Sequence, residues 1–307
     1  MRPVVVLGDL MVDVVARMAG PLAVGSDTPA SVTSRPGGAG ANVAAWLAVC
    51  GVPVTLIARA GDDDAARSAV EKLRGHGVDV SAVARDPDHA TGTCVVLVAP
   101  GGERTMLPDA GANAALDADD LPAAGFAAGA HLHVAGYALL RPGSRDAASE
   151  ALRQARAAGM TISVDPSSAA PLAAAPAFLD WIGGAGLLLP NEDEARVLTG
   201  EADPERAARA LARRLRTCSA SGRTTPDSAE VVVKLGAQGA VWSDGERVLR
   251  APAVAAEVVD TTGAGDAFAA GLLATRVAGA APEEQLAAGC ALAAGAVGVR
   301  GARPGYD

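Results

Sequence analysis

Cysteine is scarce in this 307-residue chain, and the four present, Cys50, Cys94, Cys218 and Cys290, lie far apart with no C-x-x-C pair. Neither a zinc site nor a disulfide framework is suggested, and a reducing cytosol is the expected setting. Basic residues number 26 against 35 acids, giving a net charge of −9, and they form no basic tract. Binding nucleic acid without regard to sequence needs concentrated positive charge, so the composition argues against that class. The apolar start MRPVVVLGDLMVDVV is broken by Asp9 and Asp13 and lacks a small-residue cleavage site, so it does not read as a signal peptide. Later apolar runs such as LPAAGFAAGAHLHVAGYALL carry Pro, His and several Gly, and read as buried core rather than membrane spans. No internal repeat is visible. The phosphate-loop pattern G-x-x-x-x-G-K-[ST] is missing too, and neither glycine-rich stretch completes the dinucleotide fingerprint. GAGANV has Val43, and GAGDAF has Phe268, where the third glycine belongs.

What the chain does have is rhythm. Short β-branched runs at 4–8, 54–61, 131–136, 161–166, 186–191 and 231–236 alternate with Ala-rich helical stretches. Runs without polar alternation belong to strands covered on both faces. Their alternation with helices predicts an α/β fold, a doubly wound and mostly parallel sheet with helices on both faces. In such sheets ligands gather beyond the carboxyl ends of the strands. Two segments break the pattern. Residues 13–36 lack the expected helix, and 91–108 read as two strands around a Gly-Gly turn. Together they predict a small β-sheet lid on a single domain spanning 1–307. The polar stretch 216–230 reads as a loop.

Three glycine-rich places invite chemistry. In DTTGAGDAFAAGLLA, residues 260–274, Gly263, Ala264 and Gly265 form a turn that runs into a helix. A helix start offers unpaired N–H groups and partial positive charge, a ready anion site. Asp266 in the first turn would then be a base for a hydroxyl attacking a phosphoryl group. Alternatively, Asp266 is an ordinary helix-start acid and the glycines serve turn geometry. In RPGGAGANVAAWLA, Gly37 and Gly38 would let backbone approach a ligand, and Asn42 offers a donor and an acceptor. A tight strand-to-helix connection capped by Asn42 is the other account. Asp13, five residues beyond Gly8, could accept two vicinal hydroxyls or simply be solvated.

Taken together, these stretches resemble the ribokinase-like (PfkB) carbohydrate kinases from about Val4 to Pro304. GGAGANVA matches the family's N-terminal glycine signature, and DTTGAGDAFAAGL its C-terminal signature almost position for position. GDD (61–63), AGANAAL (110–116), PNEDEA (190–195) and VVVKLGAQGA (231–240) fall between them in family order. The resemblance implies an ATP- and Mg²⁺-dependent kinase acting on the primary hydroxyl of a small sugar or sugar-like alcohol. Asp266 would be the base, and the backbone N–H groups of Gly263, Ala264 and Gly265 would hold the transferring phosphoryl group. Asp13, Gly37, Gly38 and Asn42 would bind sugar hydroxyls. Asn191 and Glu194 would organise Mg²⁺ indirectly, and Lys234, Gly236 and Gly239 fall in the nucleotide segment. Asp260 and Thr262, with residues 298–305, match a loop that often binds K⁺. A homodimer through the lid is a further family expectation. Such transfer relies on alignment and charge stabilisation, so a base with an ordinary low pKa suffices.

Two departures bear on the substrate. Ala39 stands where ribokinases usually carry lysine, and Gly136 and Tyr137 where they usually place a sugar-contacting acid. Losing such a buried partner would cost about 1–3 kcal/mol with ribose as ligand. Strict ribose specificity is therefore not expected. Tyr137 could stack on a base, which keeps a nucleoside kinase as the alternative; a non-catalytic sugar or nucleotide sensor is the second. Arg104 on the lid would meet an acidic sugar or remain solvated. His131 and His133 read as packed or hydrogen-bonded, Asp62, Asp63 and Asp64 as a helix start, the arginines of ERAARALARRLR as a solvated face, and Cys290 as small packing.

Overall fold

The computed structural model describes residues 1–218 and 229–305, so most of the polar stretch 216–230 lies outside the described residues. In chain order the strands are β1 (Val4–Leu7), β2 (Met11–Met18), β3 (Ala30–Gly37), β4 (Val54–Gly61), β5 (Val83–Asp86), β6 (Gly92–Val98), β7 (Arg104–Asp109), β8 (His131–Ala135), β9 (Thr161–Asp165), β10 (Leu187–Leu188), β11 (Glu230–Lys234), β12 (Ala240–Ser243) and β13 (Val248–Ala251). The helices are α1 (Ala39–Val49), α2 (Asp64–Gly75), α3 (Tyr137–Leu140), α4 (Arg145–Ala157), α5 (Ala169–Ala173), α6 (Phe178–Trp181), α7 (Glu192–Thr199), α8 (Pro204–Cys218), α9 (Ala264–Val277) and α10 (Pro282–Val297).

Nine strands form one sheet in the order β13-β12-β11-β10-β9-β8-β1-β4-β5. The run from β11 to β5 is parallel; β12 runs against it, and β13, antiparallel to β12, returns to the common direction. All six apolar runs picked out in the sequence become parallel strands. The three others, β5, β12 and β13, are four residues each; β5 and β13 form the sheet's two edges and β12 lies next to one of them. Pleating sends alternate residues of β1 to opposite faces. Val5 and Leu7 pack with Leu132, Leu152 and Leu211, whereas Val4 and Val6 join Leu47, Leu56 and Leu272. Each such buried side chain contributes about 1.5–3 kcal/mol. Burial on both faces is why these strands show no polar alternation.

Strand order reverses at β1, with β4 and β5 on one side and β8, β9 and β10 on the other. A crevice opens at such a switch point beyond the strand ends. Gly8 and Asp9 follow β1 there, Gly136 follows β8, and Asp165 ends β9.

The lid is a separate four-stranded sheet, β3-β2-β6-β7, from the two segments that lack a helix. Asp13 of β2 lies opposite Arg35 of β3 and Cys94 of β6. The lid buries a small cluster of Met11, Cys94, Val96 and Val98, while Val32, Met106 and Leu107 are more than half exposed.

The smaller features take simple roles. Asp63 caps α2, accepting from Ala66 N at 2.8 Å. His131 and His133 share the Ser163 hydroxyl at 2.7 and 2.8 Å. Cys290 is buried in the core. The α8 arginines are less free than a solvated face implies. Arg209 and Arg213 donate to the carbonyls of Glu246 and Gly245 at 3.0 and 2.9 Å.

Candidate active site

A cavity of about 300 Å³ lies in the crevice, with Asp266, Gly265, Lys234, Asp165, Glu194 and Asn191 among its walls. Its floor is the start of α9. Gly263 turns left-handed there (φ 74°), and a Cβ on it would sit 2.6 Å from that of Ala302. The turn therefore requires glycine for both conformation and packing. The Ala264 N–H is directed to Thr261 O at 3.3 Å. Among the described residues, the Gly265 and Asp266 N–H groups have no such backbone partner, as the first turn of a helix dictates. A Cβ on Gly265 would meet nothing nearer than Lys234 Nζ at 3.7 Å. Open space bounded by N–H donors and an ammonium group suits an anion.

Asp266 stands in that first turn. Asn42 Nδ2 donates to its Oδ2 at 2.8 Å. The fully buried Arg303 donates through Nε to Asn42 Oδ1 at 2.9 Å, and through a terminal nitrogen to Gly37 O at 2.6 Å. The guanidinium thus fixes which end of the Asn42 amide faces Asp266. Burial pushes the Asp266 carboxyl up to about 7; Asp165 and Asp9 add to the rise, while Asn42 and Lys234 oppose it. This corrects the expectation of an ordinary low pKa. Asn42, expected to meet a sugar, is committed at both ends of its amide to Arg303 and Asp266.

Opposite, Lys234 at the end of β11 forms an ion pair with Asp165 at the end of β9. Asn191 and Glu194 build a reciprocal helix cap for α7. Asn191 Oδ1 accepts from Glu194 N at 2.9 Å, and Glu194 Oε2 accepts from Asn191 N at 2.8 Å. Burial, with Asp165 nearby, pushes the Glu194 carboxyl up to about 7. No cluster of three or more metal-ligating side chains occurs among the described residues. Magnesium needs none, since it is held by one or two carboxylates together with phosphates and water. Asp165 and Glu194 on one cavity wall fit that arrangement. Gly236 (φ 57°) also lines the cavity. Gly239 does not; a Cβ there would lie 2.0 Å from Ala251 O, so its glycine serves the packing of the β11–β12 turn against β13.

Asp13, Gly37 and Gly38 gather at the lid end. The Asp13 carboxyl occupies the place of a side chain on Gly37, where a Cβ would lie 2.4 Å from Oδ1. Gly38 (φ 93°) passes so close to Asp9 O that a Cβ would reach within 2.5 Å of it. Burial pushes the Asp13 carboxyl up to about 6, against the pull of Arg303. Beside it is a narrow cleft of about 20 Å³ whose walls include Arg17, Arg35, Arg104, Asp260 and Thr262. Arg104 is neither solvated nor turned to an open pocket. It donates to Asp260 Oδ1 at 2.7 Å and to Thr262 Oγ1 at 2.6 Å. Tyr137 lines neither cavity, and the Arg141 guanidinium lies 4.9 Å from its ring centre. Gly136 has no room for an acid, because a Cβ would fall 2.5 Å from Asp165 O.

The model of the pfkB family carbohydrate kinases matches residues 1–307. The chain belongs to this family. It is therefore a phosphotransferase of the PfkB type, and PfkB kinases use ATP with Mg²⁺. The 2-dehydro-3-deoxygluconokinase of Thermoproteus tenax is 34% identical over 310 residues, covering 98% of this chain and 90% of that one. The adenosine kinase of Sinorhizobium meliloti superposes with a TM-score of 0.84 at 25% identity, covering 99% and 96%. A fructokinase double mutant from Vibrio cholerae O395, with fructose, ADP and potassium ion bound, superposes with a TM-score of 0.80 at 26% identity, covering 99% and 94%. Among the described residues no helix of this PfkB kinase is long and apolar enough to cross a membrane.

Four residues of this PfkB kinase's site were missed in the sequence. Asp165 ends a strand in TISVDP, and the rule that chemistry follows strand ends could have found it. Asp9 follows Gly8 in the same way; it is 2% exposed and accepts from Gly40 N at 3.2 Å. Ser167 lines the cavity with a left-handed backbone (φ 72°), and such strain, about 1–3 kcal/mol, collects at functional sites. Arg303 falls in the 298–305 stretch matched to a cation loop, where nothing marked it as the buried partner of Asn42.

Proposed function

We propose that this PfkB kinase transfers the γ-phosphoryl group of ATP to the primary hydroxyl of a small sugar or sugar-like alcohol, with Asp266 as general base. The observation that carries the reading is the position of Asp266, with a carboxyl raised to about 7, beside the unpartnered N–H groups of the α9 start. A base works best when its pKa lies near the operating pH. The transferring group would rest against Gly265 and Asp266 N–H, with Lys234 on its other side. Glu194 and Asp165 would hold Mg²⁺ beside the phosphates, where the ion would supply charge screening for the transfer. The acceptor hydroxyl would lie between Asp266 and the lid, with Asp13 accepting from the sugar's other hydroxyls.

A nucleoside kinase is the alternative, although the Arg141 guanidinium, 4.9 Å from the ring centre, covers one face of the Tyr137 ring that would stack on a base. The non-catalytic sensor has no use for a carboxylate poised beside an anion turn. ATP consumption with Mg²⁺ across ribose, fructose, 2-keto-3-deoxygluconate, adenosine, cytidine and pseudouridine tests the reading. Turnover of one sugar, with the product phosphorylated at its primary hydroxyl, supports it. Turnover of a nucleoside alone moves the assignment to the alternative, and nucleotide binding without turnover of any acceptor moves it to the sensor. A homodimer through the lid belongs to the same reading, and light scattering would read it as twice the chain mass; a single-chain mass would contradict it.

A further inference from the structure

Asp260 lies three residues before Gly263, at the entrance to the anion turn. An ionised carboxylate offers roughly four lone-pair sites. Here Oδ1 accepts from Thr262 N at 3.0 Å, Thr262 Oγ1 at 2.7 Å and Arg104 at 2.7 Å. Oδ2 accepts from Gly301 N at 3.2 Å, and a terminal nitrogen of Arg17 stands 3.9 Å from it. The Thr262 hydroxyl is engaged twice, donating to Asp260 and accepting from Arg104 at 2.6 Å. Oδ1 and the Thr262 hydroxyl are thus taken up by N–H and O–H donors, and the Arg104 guanidinium sets its positive charge against the carboxylate on the side a monovalent cation would use. With that charge in place, the Asp260–Thr262 side of the loop has no need of K⁺.

Arg104 does more than fill the place. It begins β7, so its guanidinium comes from the lid, more than 150 residues away in the chain, and reaches across the cleft that holds Asp13. The contact is forked, one nitrogen to the carboxylate and the other to the hydroxyl, which fixes direction as well as charge. Asp260 is 7% exposed, so its charge is compensated inside the protein. We propose that Arg104 is a positioning residue that takes the place of a monovalent cation at the Asp260–Thr262 loop, ordering the anion turn when the lid is down and making transfer independent of K⁺. The inference rests on the kinase reading above. It adds that closing the lid over a sugar and setting the phosphate-binding turn are one event.

The test measures initial rates with the acceptor identified above, in KCl, NaCl or tetramethylammonium chloride at equal ionic strength. The melting temperature in the same salts is a readout that does not depend on activity. Wild type is expected to show equal kcat, within about 2-fold, and one melting temperature in all three. Arg104→Ala should lose on the order of 10- to 100-fold in kcat, the scale of a small misplacement at a reacting centre. KM for ATP should change little, and K⁺ or added guanidinium should restore part of the loss. Arg104→Lys, which keeps the charge and loses the fork, should fall between the two and guards against a variant that does not fold. Activation of wild type by K⁺, or its stabilisation by K⁺ alone, would overturn the proposal. So would an Arg104→Ala enzyme of unchanged kcat, or a loss that neither K⁺ nor guanidinium repairs. An enzyme that turns over no acceptor would instead refute the kinase reading, which separates the two failures.

Discussion

Replacing Asn42 by Ala removes the side-chain hydrogen bond that favours the ionised Asp266 carboxylate against its burial. A hydrogen bond to a charged group contributes about 1.5–3 kcal/mol, and 1.36 kcal/mol is one pKa unit, so the Asp266 carboxyl should rise by about one to two units. A base works in its deprotonated form, so activity is present above its pKa and is lost as pH falls through it. Wild type should therefore show an acidic limb in kcat/KM centred near 7. In Asn42→Ala the limb should move to higher pH, cutting kcat/KM at pH 7 by roughly 5- to 50-fold and recovering most of it at high pH. The profile of kcat/KM is the right assay because it reports groups of the free enzyme. Arg303 keeps its bond to Gly37 O in this variant, which limits the damage to folding. A uniform loss with the limb unmoved would refute the reasoning. Asn42 would then be a substrate contact, as its place in the glycine signature first suggested.

Two further outcomes follow from other parts of the site. Glu194→Gln keeps much of the α7 cap but removes the charge that would organise Mg²⁺; half-activating Mg²⁺ should rise about 10-fold with the melting temperature nearly unchanged. Equal loss of both would make Glu194 only a cap. Gly239→Ala should lower stability by at least about 1–3 kcal/mol, because φ is 90° and the new Cβ would strike Ala251 O; urea unfolding reads this, and an unchanged midpoint would contradict the packing account.

The sheet was legible because its central strands are covered on both faces and so appear as unbroken apolar runs, VVVLG and VVVKLG among them. The lid was legible from the helix missing between Asp13 and Pro36. The hairpin strands β12 and β13 were not, since four residues around tight turns give too short a period to read. Residue types in the site were legible where a strand or glycine turn announced them, as at Asp266 and Asn191. Their partners were not. Nothing in GVRGARPG says that Arg303 is buried beneath Asn42, and nothing in GGERTMLP says that Arg104 reaches Asp260. Those contacts join segments more than 150 residues apart, and only the fold brings them together.

The central claim is that Asp266 takes the proton from the attacking hydroxyl, and Asp266→Asn tests it most directly. The measurement is single-turnover transfer of the γ-phosphoryl group to the acceptor, with nucleotide affinity determined by calorimetry on the same protein. A general base contributes about 10²- to 10⁴-fold. The account predicts a loss in that range in the transfer rate, with the Kd for ATP and Mg²⁺ changed by less than about 3-fold. Transfer at the wild-type rate would contradict it, and would leave Asp266 as no more than an acid at the start of a helix.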